Sequence, residues 1–338
     1  MFNKTMSFRT TMVLFSMFLL CFLVLSGCQS PGTEPEQKPV EKPDFINISY
    51  SYRPLNVPAI VALEKKLFEE EFAKEGIEVK WYELEGPATT EALAAKSLDI
   101  ATSLNYVSAI ISKANGNDIK LIASYSKFPK GIGLVAGAES GITKIVDLQG
   151  KKIALQQGTM LHEMLIKALE QENIPVNTLE IINMPSPDAL NALMDKHVDA
   201  AIIPEPLLTK AISSQKVKLV QNAEGLILGQ ATIAARSEFA EKYPEIVKKF
   251  LEIHNNILNW SVANEEEALN ITSEVIQMDT KAVKALYPKF DFSLEITEDN
   301  TLKLKESADF LKANNFIKGD IDTKSLIDSL VDTSYLPQ

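Results

Sequence analysis

From Phe45 onward, short strand-like apolar runs alternate with stretches of helical periodicity, and this alternation limits the possible folds more than any other feature of the chain. "FINISYSY" (45–52) reads as a strand. "VPAIVALEKKLFEEEFAKEG" (57–76) reads as a helix, with Ile60, Leu63, Leu67 and Phe68 at helical spacing and a glycine stop. "IEVKWYEL" is then a strand, "GPATTEALAAKS" opens a helix just after Pro87, "LDIATS" is a strand, "YVSAIISKANG" a helix and "IKLIASYS" a strand. A second unit repeats the theme with "KKIALQQ", "TMLHEMLIKALEQENI", "LEIINM", "PDALNALMDKH", "VDAAIIP" and "LLTKAISSQ" as strand and helix in turn. Such an order predicts mainly parallel sheets covered on both faces. Two α/β units in series, followed by a helix-rich tail from Ser237, predict two lobes.

Two segments bracket the second unit. "KGIGLVAGA" (130–138) and "LGQATIAAR" (228–236) are apolar, strand-like and contain glycine. They read either as paired crossings between lobes or as two ordinary buried strands with glycine at bulges, and spacing leaves both open. If they are crossings, a cleft lies between the lobes at the carboxyl ends of the strands, where open α/β sheets bind ligands.

The N-terminus is of another kind. Lys4 and Arg9 precede an apolar run of 14 residues, Met12 to Leu25, which ends in Leu25-Ser26-Gly27-Cys28. That run is shorter than the ~20 residues that comfortably cross a bilayer, and it has the pattern of a secretion signal. It resembles a bacterial lipobox, so residues 1–27 are expected to be a lipoprotein signal peptide and Cys28 the lipidated residue; an uncleaved anchor is the alternative. Residues 28–44 then form a tether, with Pro31, Pro35, Pro39 and Pro43 at four-residue spacing and too few apolar side chains for a core. Cys21 leaves with the signal and Cys28 carries the lipid, so the mature fold has no free thiol for a disulfide framework, a metal or a nucleophile. Loss of Lys4 and Arg9 takes Lys+Arg from 34 to 32 against 45 acidic residues, a mature formal charge of −13. Such a chain does not seek nucleic acid, which needs basic patches.

One stretch, "LQQGTMLHEML" (155–165), can be read as chemistry in two ways. His162-Glu163 opens a zinc-protease helix, but the second histidine would stand at 166, and that residue is isoleucine. His197 and His254 have no Cys or His partners nearby, and no Gly-x-Ser-x-Gly elbow occurs. Gly158-Thr159 reads instead as a helix start, which offers unpaired N–H groups and about half a positive charge to an anion. Thr159 capping its own helix is the competing reading.

The ordered set of phrases carries a resemblance. The lipobox, "LEKKLFEEEFAKEGIEVKWYELEGPATTEALAAKSLDIATS", "ANGNDIKLIASYS", "DLQGKKIALQQGTMLHEML", "DAAIIPEPLLTKA" and "RSEFAEKYPEIVKKFLE" resemble, in order, the extracytoplasmic substrate-binding proteins of ABC importers for aliphatic sulfonates, taurine, nitrate and thiamine-pyrimidine precursors. The resemblance implies a two-lobed periplasmic-binding-protein fold, type II-like, with lobe I at 45–133 plus 232–338 and lobe II at 134–231. It implies a lipid-anchored monomer outside the cytoplasm that closes on a small anionic solute and presents it to a permease and its ATPase, without catalysis or cofactor. It places Tyr52 and Arg53 after the first strand, Asn105 and Tyr106 after "LDIATS", Gly158, Thr159 and Met160 at the helix start, and Glu205 at the end of "VDAAIIPEP" in the cleft. Gln230 is expected to face the same space. Arg53 offers a planar fork for two oxygens. Glu205 would need a cationic or N–H-donating ligand, or else it binds the N–H groups of the helix opened by Pro206. Two positions depart from the sulfonate-binding pattern: Asn105, where an acidic residue is common, and Pro204, where an aromatic is common before the Glu-Pro pair. The other functional readings are a binder of a neutral or cationic heterocycle, a sensor acting through a separate receptor, and an enzyme like those that make the thiamine pyrimidine.

Overall fold

A computed structural model of the chain describes residues 41–337, so the expected signal peptide, Cys28 and most of the tether lie outside the described residues. The first unit runs β1 (Phe45–Tyr50), α1 (Val57–Glu64), α2 (Leu67–Ala73), β2 (Glu78–Glu83), α3 (Pro87–Ala94), β3 (Ile100–Asn105), α4 (Tyr106–Ala114) and β4 (Ile119–Lys127). The second runs β5 (Ile132–Gly137), β6 (Lys152–Leu155), α5 (Met160–Gln171), β7 (Glu180–Asn183), α6 (Ser186–Met194), β8 (Ala200–Pro204), α7 (Leu207–Ser213) and β9 (Val217–Asn222). The chain returns in β10 (Gln230–Arg236) and ends in α8 (Ser237–Lys242), α9 (Pro244–Ala263), α10 (Glu265–Ile276), α11 (Thr280–Leu286), α12 (Glu298–Ala313) and α13 (Thr323–Leu330).

The strands form two five-stranded sheets, ordered β2-β1-β3-β10-β4 and β7-β6-β8-β5-β9. In the first sheet β1 pairs in parallel with β2 and β3, and β10 runs antiparallel to β3 and β4. The second repeats the plan: β6 is parallel to β7 and β8, and β5 is antiparallel to β8 and β9. Each sheet thus has one strand against the grain, the first one laid down after the chain changes sheet. Within segments 130–138 and 228–236, residues 132–137 and 230–236 are strands seated within single sheets. The crossings are the short stretches before them, 128–131 and 223–229.

The two crossings touch. Phe128 N–H donates to Gly229 O at 2.8 Å. Gly229 has φ +58°, and a Cβ there would lie 2.8 Å from Pro129 Cα, so only glycine fits on both counts.

The central strands are apolar because both their faces are covered: Ile46, Ile48, Ile100, Ile233, Ile153 and Ile202 are buried completely. Aromatic residues close the first lobe beneath α9. Phe68 stacks on Phe250 with ring centroids 4.8 Å apart, and the ring of His254 lies 5.3 Å from that of Tyr125. His254 is buried among these rings, its Nε2 has no hydrogen-bond partner, and burial lowers its pKa from 6.5 to about 4. His162 stands edge-on against Phe316 and is lowered to about 4 by the same cause.

Both histidines are neutral in the folded chain at pH values where the unfolded chain protonates them. Stability is therefore full above pH 6.5 and falls as the pH drops from 6.5 towards 4. Each histidine contributes up to roughly 1.4 kcal/mol per pH unit in that window. His254→Gln is expected to reduce this slope by about one proton in urea denaturation at stepped pH. An unchanged slope would show that His254 is not the group responsible.

Candidate ligand-binding cleft

Parallel strands deliver their carboxyl ends to one side of a sheet, and the helices that follow them begin there. A polar pocket lies where the strand ends of the two sheets meet. It is lined after β1 by Ser51, Arg53 and Pro54, after β2 by Leu84, Glu85 and Gly86, and at the end of β3 by Ser103 and Asn105. From the second sheet come Gln156, Thr159, Met160 and Leu161 after β6, Ser186 after β7 and Pro204 at the end of β8. Three strand ends from each sheet contribute. The cavity measures about 60 Å³, room for only a handful of water-sized molecules.

Four helices start at its wall. Gly86 caps α3, Asn105 caps α4, Thr159 caps α5, and Ser186 is the first residue of α6. Each start adds fractional positive charge, so the wall is electropositive without a cluster of lysines. At α5, Thr159 Oγ1 accepts from Leu161 N–H at 3.2 Å and donates to Gln156 O at 2.7 Å. Its hydroxyl therefore caps the helix. The N–H groups of Thr159 and Met160 have no hydrogen-bond partner among the described residues. Gly158, at φ +69°, turns the chain into the helix, and its carbonyl accepts from Ser108 Oγ at 2.9 Å.

On the opposite wall, Asn105 caps α4 through Oδ1, which accepts from Ser108 N–H at 2.9 Å, while its Nδ2 donates to Ser108 Oγ at 2.8 Å. The run Asn105, Ser108, Gly158 thus joins the first sheet's helix to the second sheet's loop. The register of β3 against β10 shifts between Thr232 and Ala234, and opposite that shift Ser103 has φ +58°. This bulge turns Ser103 towards the pocket, where its Oγ accepts from Asn56 Nδ2 at 3.0 Å. Strained backbone of this kind collects at binding sites. Arg53 Nη2 lies 2.9 Å from Glu85 Oε1, and its Nε is buried without a partner.

Of the residues read from the sequence, Arg53, Asn105, Thr159 and Met160 line one pocket together. The others are placed differently. Tyr52 packs edge-on against Tyr50, 5.2 Å away, and burial pushes its pKa up to about 12. Tyr106 is fully buried and donates to Glu163, whose second oxygen accepts from Ser307 Oγ at 2.8 Å and pairs with Lys167 at 2.8 Å. Of the two readings open for Glu205, its contacts are those of a carboxylate that binds the start of the next helix. It accepts from Thr209 N–H at 2.9 Å, Thr209 Oγ1 at 3.0 Å and Lys289 Nζ at 2.7 Å, with no exposed surface left. Gln230 is buried in β10 and donates to Ser124 Oγ at 2.7 Å. The sequence reading missed Glu85, Ser103, Gln156 and Ser186. The Gly86-Pro87 pair that opens α3 is the one signal that could have pointed to Glu85, the residue before it.

Two lobes of this topology, with a polar pocket between their strand ends, define a protein of the periplasmic-binding-protein fold. The family model described as NMT1/THI5 like matches residues 56–268, and the chain belongs to that family. A protein of Bacillus subtilis (strain 168) named for binding aliphatic sulfonates is 33% identical over 309 residues, covering 90% of this chain and 91% of its own. The taurine-binding periplasmic protein of Escherichia coli (strain K12) is 28% identical over 209 residues, covering 61% of this chain and 63% of its own. Among solved structures, the alkanesulfonate-binding protein SsuA from Xanthomonas axonopodis pv. citri, bound to MOPS, superposes with a TM-score of 0.78 at 18% identity, covering 86% of this chain and all of its own.

The Tyr106 hydroxyl supports the fold by donating to a buried carboxylate, and hydrogen bonds to charged groups contribute about 1.5–3 kcal/mol. Tyr106→Phe is therefore expected to lower unfolding stability by about that amount in urea denaturation. An unchanged midpoint would show that the bond to Glu163 is not made.

Proposed function

We propose that this protein captures a small organic sulfonate in the pocket between its two sheets and delivers it to the membrane permease of an ABC importer. The observation that carries this reading is the pair of unpaired N–H groups at Thr159 and Met160, at the positive end of a 12-residue helix and on the wall of a pocket. A sulfonate presents three acceptor oxygens on one tetrahedral head, which suits two adjacent N–H donors and the convergent dipoles of α3, α4 and α6. The names of the Bacillus subtilis and Escherichia coli relatives favour the same solute class.

In this reading lobe I comprises 45–133 plus 232–338 and lobe II comprises 134–231. They bend about the paired crossings next to Gly229. A solute that touches both walls shifts the equilibrium towards the closed form by its extra contacts there. Ser51, Arg53, Ser103 and Asn105 supply the lobe I wall; Gln156, Thr159, Met160 and Ser186 supply that of lobe II. Lipid on Cys28 and the proline-rich segment after it would keep the closing body within reach of its permease.

The pocket's composition weighs against the alternatives. No aromatic side chain lines it, so a pyrimidine would find no ring to stack on. The described residues that line it include no histidine, cysteine or lysine either.

Met160 is the first helical residue, and Thr159 before it has φ −127° and ψ 171°, extended backbone that tolerates a following proline. Met160→Pro therefore deletes one N–H while keeping the helix start. Sulfonate affinity in calorimetry is expected to fall roughly ten- to a hundredfold, the size of one hydrogen bond to a charged acceptor. Met160→Leu, which keeps the N–H, should bind within a few-fold of the parent; equal affinities for all three proteins would contradict the assignment.

A further inference from the structure

Arg53 and Glu85 are the two charged side chains lining the pocket, and they stand on the ends of adjacent strands, β1 and β2. Their charges are opposite, so the lining carries no net formal charge. One oxygen of Glu85 is committed: Oε1 takes Arg53 Nη2 at 2.9 Å and Ser51 Oγ at 2.7 Å. The other, Oε2, takes part in no hydrogen bond or ion pair among the described residues. Contrast Glu163 and Glu205, fully buried carboxylates among the described residues, each held by three donors. Glu85 alone combines a carboxylate, a place on the pocket wall and an uncommitted acceptor.

A simple alkanesulfonate brings its negative charge into a narrow cavity beside that carboxylate. Like charges at such range raise the free energy of the complex, the more so because Glu85 is only partly exposed to water. A solute that also carries an ammonium group removes the conflict. Its sulfonate lies on the N–H groups of α5 and its ammonium donates to Glu85 Oε2 across the pocket, leaving the complex without net charge. The whole chain adds to the preference, because its formal charge of −11 repels a free anion at long range and leaves a zwitterion unaffected.

We propose that Glu85 is a specificity-determining residue that recognises an ammonium group, so that the solute is a short zwitterionic aminoalkanesulfonate. This rests on the sulfonate reading given above. The cavity of about 60 Å³ is in keeping with a short chain between the two charged ends.

The test compares taurine with 1-propanesulfonate, which has a methyl group in place of the ammonium and the same number of heavy atoms, by calorimetry on the protein without its first 28 residues. The wild type is expected to bind taurine at least about tenfold more tightly, a difference of about 1.4 kcal/mol. Glu85→Gln, checked for folding by its thermal melt, is expected to abolish that preference while binding 1-propanesulfonate as well as the parent or better. A wild type that binds the two equally, or prefers 1-propanesulfonate, would overturn the proposal and leave the sulfonate reading intact; that comparison needs no variant. A Glu85→Gln protein that keeps the preference for taurine would also overturn it. Binding of neither compound to the wild type would overturn the sulfonate reading itself, and this proposal with it.

Discussion

The structure depends on one directional constraint. Strands that run the same way within a sheet end on the same side, and the helices that follow begin there with their N–H groups unpaired. Thirteen strand-and-helix elements, β1 through α4 and β6 through α7, bring the starts of α3, α4, α5 and α6 to a single pocket. In the proposed function the attraction for a negative group comes mainly from backbone geometry rather than from a cluster of basic residues, which is how a strongly acidic chain would hold an anionic head group.

The proposed function adds a second requirement, that two lobes stay together without closing the pocket permanently. The contacts that join them fall into two sets. Near the crossings, Gly229 packs on Pro129 and Lys289 reaches across to Glu205. Beside the pocket, Ser108 donates to Gly158 O, and Tyr106 and Ser307 donate to Glu163. Glu163 and Glu205 are costly to bury, and both are stable only because each oxygen has a donor. Gln156 extends from one lobe over Gly86 of the other. A Cβ on Gly86 would come within 2.5 Å of Gln156 Nε2, so glycine at φ +56° keeps the mouth of the pocket passable for that side chain.

Much of this is written locally in the chain. The alternation of strands and helices specifies the sheets, and the same local patterns offer Thr159 as a helix cap, whereas the cap at Asn105 emerges from the structure. Arg53 is exposed to notice by its place directly after a strand. Partner choice over long distance is not local. Glu205 and Glu85 look alike in the sequence, each just past a strand and just before a helix-opening turn. Lys289, 84 residues away, satisfies Glu205, whereas Glu85 keeps one oxygen free. Tyr106 points into a buried contact because Ser307, 144 residues from Glu163, completes the pair's surroundings. The bulge that re-aims Ser103 depends on how β10 pairs with β3 after the chain has returned from the second sheet.

The central claim, that a sulfonate rests on the helix start of α5, is tested most directly by amide NMR on the ¹⁵N-labelled protein during titration with taurine. The account predicts that the backbone N–H resonances of Thr159 and Met160 move downfield and saturate together, as expected for donors engaged by an anion, with smaller shifts at Asn105 and Ser186. Saturable shifts that leave Thr159 and Met160 untouched while others move elsewhere in the chain would contradict it.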